Sequence, residues 1–119
     1  MYYDKTAAVT LNNIWGGSAM EPTLTPLSTQ FAEGSVIVKA AFITAGPNEW
    51  PMMKDTLAWP AYISVPLAPK GTLPDPKLAQ LYLMQFDIIV KDSVAAPKTG
   101  WVFSTLVYDA RVASPDNDI

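Results

Sequence analysis

Lys39 and Asp87 are the residues in this sequence best placed to do chemistry. Each is an ionisable group inside an apolar run, Ser35 to Ile43 for the lysine and Leu78 to Lys91 for the aspartate. A charge on an apolar strand face is costly unless it is paired or used, so the two read either as polar anchors of a ligand pocket or as a structural ion pair. On residue types alone, an ion pair or a lysine snorkelling to the rim is the commoner outcome. Strand alternation puts Ile37 on the face of Lys39 and Gln85 on the face of Asp87. With Trp101 and Phe103 on a third strand they complete a candidate lining, because ligand cavities are mostly apolar and aromatic with a few polar groups. The same aromatics, with Phe42, Phe86 and Tyr108, equally suit an ordinary core.

The chain has no Cys and no His, which removes much other chemistry. Disulfides, zinc-thiolate and iron-sulfur sites, a Cys nucleophile and covalent haem attachment all need Cys. Ser-His-Asp catalysis and His-ligated metals need His. Met52, Met53 and Met84 offer only thioethers, weak ligands that normally accompany His or Cys. Asp116-Asn117-Asp118 lacks the spacing, glycine and terminal Glu of a calcium loop. A carboxylate hydrolase built from Asp87 with Glu33 or Asp55 ranks lowest, since nothing in the sequence brings two carboxylates together.

A chain of 119 residues, half of them apolar, fits a single domain over 1–119 and is far from the composition of a disordered segment. The net charge of -3 has the wrong sign for a nucleic-acid surface. No apolar stretch is long enough to span a bilayer, and Met1-Tyr2-Tyr3-Asp4-Lys5 does not open a signal peptide, so a soluble protein is expected. A small-molecule ligand and self-association both stay open.

Positioning these residues falls to a few elements. Tyr3, Ala7, Leu11 and Ile14 recur at helical spacing and predict a helix over 4–15, stopped by Gly16-Gly17. A long Pro-, Ser- and Thr-rich loop follows over 16–33. Pro47 to Leu57 predicts a second short helix, which Pro60 ends, before a brief strand from Tyr62 to Val65. Strands are predicted at 35–43, 78–91 and 101–109, within a sheet spanning 35–109, with a proline-rich loop over 66–76 and a frayed polar tail over 113–119. The sum is an α+β domain, an antiparallel β-sheet with one or two short helices packed on it.

Three segments, Phe31-Ala32-Glu33-Gly34-Ser35-Val36-Ile37-Val38-Lys39, Gln85-Phe86-Asp87-Ile88-Ile89-Val90-Lys91-Asp92 and Thr99-Gly100-Trp101-Val102-Phe103, resemble in order and spacing the cytochrome P-460 family of small bacterial c-type cytochromes. The resemblance spans Phe31 to Tyr108. It implies an antiparallel sheet with helices around one haem c, a periplasmic location, and oxidoreductase activity in an intact member. It matches Lys39 to the lysine that crosslinks to the porphyrin in catalytic members, and Asp87 to a carboxylate suited to proton transfer above the iron. The chain departs from the family in lacking the Cys-x-x-Cys-His haem motif, so no cofactor is expected in this chain as it stands. The expected function is therefore a haem-free or truncated P-460-like module that binds a small ligand in an apolar cavity and is not itself an enzyme. The alternative is an interaction domain that uses a sheet face and the Trp15, Trp50 and Trp59 loops.

Overall fold

The computed structural model of the chain describes residues 1–64 and 75–112. Its elements are β1 (Tyr2–Tyr3), α1 (Lys5–Trp15), β2 (Val36–Ile43), a 3-10 turn (Pro51–Met53), β3 (Ala58–Ile63), β4 (Lys77–Lys91) and β5 (Trp101–Val107). The strands form one sheet in the order β1-β2-β4-β3, with β5 also paired to β4. The β1–β2 and β3–β4 ladders are antiparallel, and the expected α+β class holds. The end of the predicted strand at Val65, most of the 66–76 loop and the 113–119 tail lie outside the described residues. The chain divides into two compact units, Met1–Ala40 with Phe86–Leu106 and Ala41–Gln85 with Val107–Ile119.

In the first unit, Asp4 starts α1. Its backbone is extended and its carboxylate accepts the Ala7 N–H at 2.8 Å, which satisfies one of the helix's unpaired donors. The same oxygen accepts the Val36 N–H at 3.1 Å, and the Asp4 N–H donates to the Val36 carbonyl at 3.0 Å. One side chain thus caps the helix and fixes it to the start of β2. Ala7 and Thr10 are buried, with Leu11 and Ile14 half-buried, so the face that meets the sheet follows the helical period. Ser35, fully buried just before β2, donates its hydroxyl to the Ala32 carbonyl at 2.7 Å. In the 16–33 loop, Thr25 and Ser28 bond to each other's backbone N–H groups, a local substitute for secondary structure.

In the second unit, Met53 is fully buried, at 1% exposure. The helix predicted from Pro47 to Leu57 is only a turn followed by Pro51–Met53. Pro51 suits the first position of that turn, but Asp55 takes a left-handed backbone conformation (φ 61°) and ends any helical run. The strand predicted at Tyr62 begins four residues earlier, at Ala58, and contains Pro60. The proline is tolerated for a geometric reason. The Leu83 N–H donates to the Leu57 carbonyl, so in this register Pro60 faces Gln80 at a position whose N–H would point away from β4. Phe42 meets Trp59 edge to face at 4.3 Å, and the Thr56 hydroxyl donates to the Leu83 carbonyl at 2.6 Å.

Candidate ligand-binding site

The site lies in the first unit and is built from cross-strand rows. The Lys91 N–H donates to the Ser35 carbonyl at 2.9 Å, which sets β2 against β4. Carried along both strands, that register puts Ile37 opposite Ile89 and Lys39 opposite Asp87, and the Lys39–Asp87 ion pair at 3.5 Å confirms the last step. On the other edge of β4, the Asp92 N–H donates to the Gly100 carbonyl at 3.0 Å, and the Thr105 hydroxyl donates to Asp87 at 2.9 Å. Both contacts fit a register that puts Phe103 opposite Ile89. β1 adds Tyr3 opposite Ile37.

Tyr3, Ile37, Ile89 and Phe103 therefore form one row across four strands on a single sheet face. This row is the floor of an open cavity of about 350 Å³, completed by Leu11 of α1, Phe31 of the loop, Trp101 and Met1. Phe31 and Trp101 meet edge to face, with ring centres 5.4 Å apart. The lining is almost wholly apolar. Phe103 is 69% exposed, so the cavity opens toward solvent at its β5 end.

Charged groups flank the floor. Lys39, Asp87 and Thr105 form the next row along the strands, about 7 Å away at two residues' rise. Asp87 is well covered (13% exposed), whereas the Lys39 side chain is 47% exposed. In the opposite direction Lys91 lies 3.6 Å from Glu33 and 3.1 Å from the Ser93 hydroxyl, with its ammonium 5.8 Å from the centre of the Trp101 ring. The Ser93 hydroxyl and backbone N–H, then the Lys91 charge, hold the Glu33 carboxyl below its ordinary value of 4.5. Gly100 permits this arrangement: its φ of +74° is left-handed, and a β-carbon there would meet Lys91 Nζ.

Of the residues singled out in the sequence, Ile37, Trp101 and Phe103 line the cavity. Lys39 and Asp87 are brought together on the same face but pair with each other at its border, outside the lining. Gln85 belongs to the second unit and does not line the cavity. Glu33 and Asp87 stand in separate ion pairs. Met53 is core, Phe42 packs on Trp59, and the Tyr108 hydroxyl donates to the Lys54 carbonyl at 2.7 Å. Trp15 ends α1 and Trp59 lies in β3, so of the tryptophans assigned to loops only Trp50 is in one; all three are exposed. Sequence reasoning missed Met1, Tyr3, Leu11, Phe31 and Ile89 as lining. Leu11 carried a signal, since it belongs to the helical apolar spacing whose face must cover something; Tyr3, counted in that spacing, reaches the cavity from β1 instead.

The chain has neither the Cys for thioether attachment of haem c nor a His ligand. No group of three His, Cys, Asp or Glu side chains able to hold a metal occurs among the described residues. The sulfur in the lining, Met1 Sδ, accepts a hydrogen bond from the Tyr3 hydroxyl. No helix among the described residues is long and apolar enough to cross a membrane. No protein-family model, curated protein or solved structure matches the chain.

Proposed function

We propose that this chain is a haem-free, P-460-like module, whole or part of a longer protein, that binds a small apolar ligand in the cavity of its first unit. The observation that carries this reading is the four-strand apolar row Tyr3-Ile37-Ile89-Phe103 flanked by Leu11, Phe31 and Trp101. A volume of about 350 Å³ suits a compact ligand, and a lining with so few polar groups selects by shape and apolar contact. The spacing of the three segments from Phe31 to Phe103 supports the family likeness. The role is binding rather than turnover, because the charged groups beside the cavity are engaged with one another.

The neutral fluorophore N-phenylnaphthylamine tests this reading. Its emission rises saturably with one site per chain, and Ile89→Trp, which fills the floor, abolishes the rise while the thermal melt stays cooperative. Unsaturable emission, or emission unchanged in Ile89→Trp, overturns the reading.

A second reading, an interaction domain, is favoured by β5. Val102, Phe103 and Leu106 are all exposed, so both faces of the strand are open, and among the described residues β5 pairs only with β4. An uncharged edge strand without proline is a template for another strand. Sedimentation that depends on concentration in the native chain and becomes independent of it in Leu106→Lys supports this reading, and a monomer at all concentrations excludes it.

A further inference from the structure

We infer that the cavity of the first unit takes an apolar monocarboxylate, with its chain over Ile37 and Ile89 and its carboxylate on Lys39. This inference rests on the ligand-binding reading and adds the head group.

The two lysines that flank the floor differ in what they have left to give. Lys91 is 15% exposed and is held by Glu33, by the Ser93 hydroxyl and over the Trp101 ring. Lys39 is 47% exposed and stands 3.5 Å from Asp87. An ammonium has three N–H donors, so one carboxylate partner leaves Lys39 able to engage a second. Asp87 is placed differently. It is mostly covered, one oxygen accepts from Thr105 at 2.9 Å and the other faces Lys39. A cationic head group would have to compete with Lys39 for those oxygens, whereas an anionic one meets the exposed side of the pair. Lys39 is two residues from Ile37 on the same strand face, which puts its stem about 7 Å from the floor. That distance suits a ligand whose body lies on the apolar row and whose head reaches the border. A neutral head group gains only an ordinary hydrogen bond there, while a carboxylate gains a charge-assisted one.

Displacement of bound N-phenylnaphthylamine by decanoate, decanol and decylamine at pH 7 and low salt tests the inference. Decanoate is expected to displace the probe at roughly tenfold lower concentration than decanol, with decylamine weakest, in line with charge-assisted hydrogen bonding. Lys39→Met keeps the apolar stem and is expected to bring decanoate to the level of decanol, while Lys39→Arg keeps the preference. Lys39→Met with Asp87→Asn removes both charges and is expected to give the same equality, which shows that the loss is not repulsion by an unpaired aspartate. Equal displacement by decanoate and decanol in the native chain, or a preference that survives Lys39→Met, overturns the carboxylate assignment and leaves the cavity reading standing. Failure of the probe to bind at all overturns both.

Discussion

Lys39 Nζ lies 3.5 Å from Asp87 Oδ2 on the sheet face that carries Ile37 and Ile89, and the pair borders the apolar floor rather than standing in it. That placement decides what the two charges can do. Inside the cavity they would bear the full cost of desolvation, whereas at its edge the aspartate is covered and hydrogen-bonded while the lysine keeps contact with water. The arrangement sets an exposed lysine beside an apolar surface.

Breaking the row should weaken binding without unfolding the chain. Phe103 is 69% exposed, so truncating it leaves little cavity in a core. Phe103→Ala is expected to lower probe affinity several-fold and to shift the melting temperature little. Paired fluorescence titration and thermal melts check this.

Gly100→Ala should destabilise the chain by about 1–2 kcal/mol, from the cost of a left-handed backbone in a residue with a β-carbon. Its φ is +74°, and the added carbon meets Lys91 Nζ, so Lys91 is also displaced from Glu33. Gly17→Ala has open space around its β-carbon and is the control, expected to melt at or slightly above the native temperature. Urea unfolding of both variants measures the difference.

Met53→Ala should cost about 2–5 kcal/mol, because a fully buried side chain leaves a cavity that its surroundings refill only in part. Gly46→Ala should disturb the same unit, since its β-carbon would lie 2.8 Å from the Tyr82 ring. Chemical denaturation with tryptophan fluorescence reads both effects.

Stability should fall at acid pH. The Ala7 and Val36 backbone N–H groups lower the Asp4 carboxyl from its ordinary 3.8, Ser93 lowers Glu33 from 4.5, and Arg111 holds Asp109 at about 2. Groups with depressed folded values contribute stability that is complete above their unfolded values and is lost as pH falls through the folded ones. The melting temperature should therefore be insensitive to these groups between pH 7 and 5.5 and decline below the 4.5 of unfolded Glu33, with the part due to Asp109 lost between 3.8 and about 2. Asp4→Asn keeps a capping oxygen but cannot titrate, so the acid decline should be shallower in that variant. Melts taken across the pH range check both statements.

Much of the first unit was legible from spacing. Ala7, Leu11 and Ile14 marked the inward face of α1, though Tyr3, counted in the same spacing, lies in β1, and alternation placed Ile37 with Lys39, and Ile89 with Asp87, before any register was known. What the sequence could not supply was the pairing that brings these residues to one row, since that is set by contacts between strands separated in the chain, such as Tyr3 with Ile37 and Ser35 with Lys91. Nor could it place Phe31, which reaches the cavity from an irregular loop. The reading of Pro60 as a helix stop failed because a proline is also tolerated on an edge strand where its missing N–H faces away from the neighbour. Gln85 was assigned to the site by alternation alone, and alternation says which face a residue takes, not how far along the strand a cavity extends.

Isotope labelling of isoleucine methyl groups tests the central claim most directly. On titration with N-phenylnaphthylamine, the methyl resonances of Ile37 and Ile89 should shift in step to a common saturation point while those of Ile63, in β3, stay in place. Shifts confined to residues outside the row Tyr3-Ile37-Ile89-Phe103, or unmoved Ile37 and Ile89 methyls at saturating probe, would contradict it.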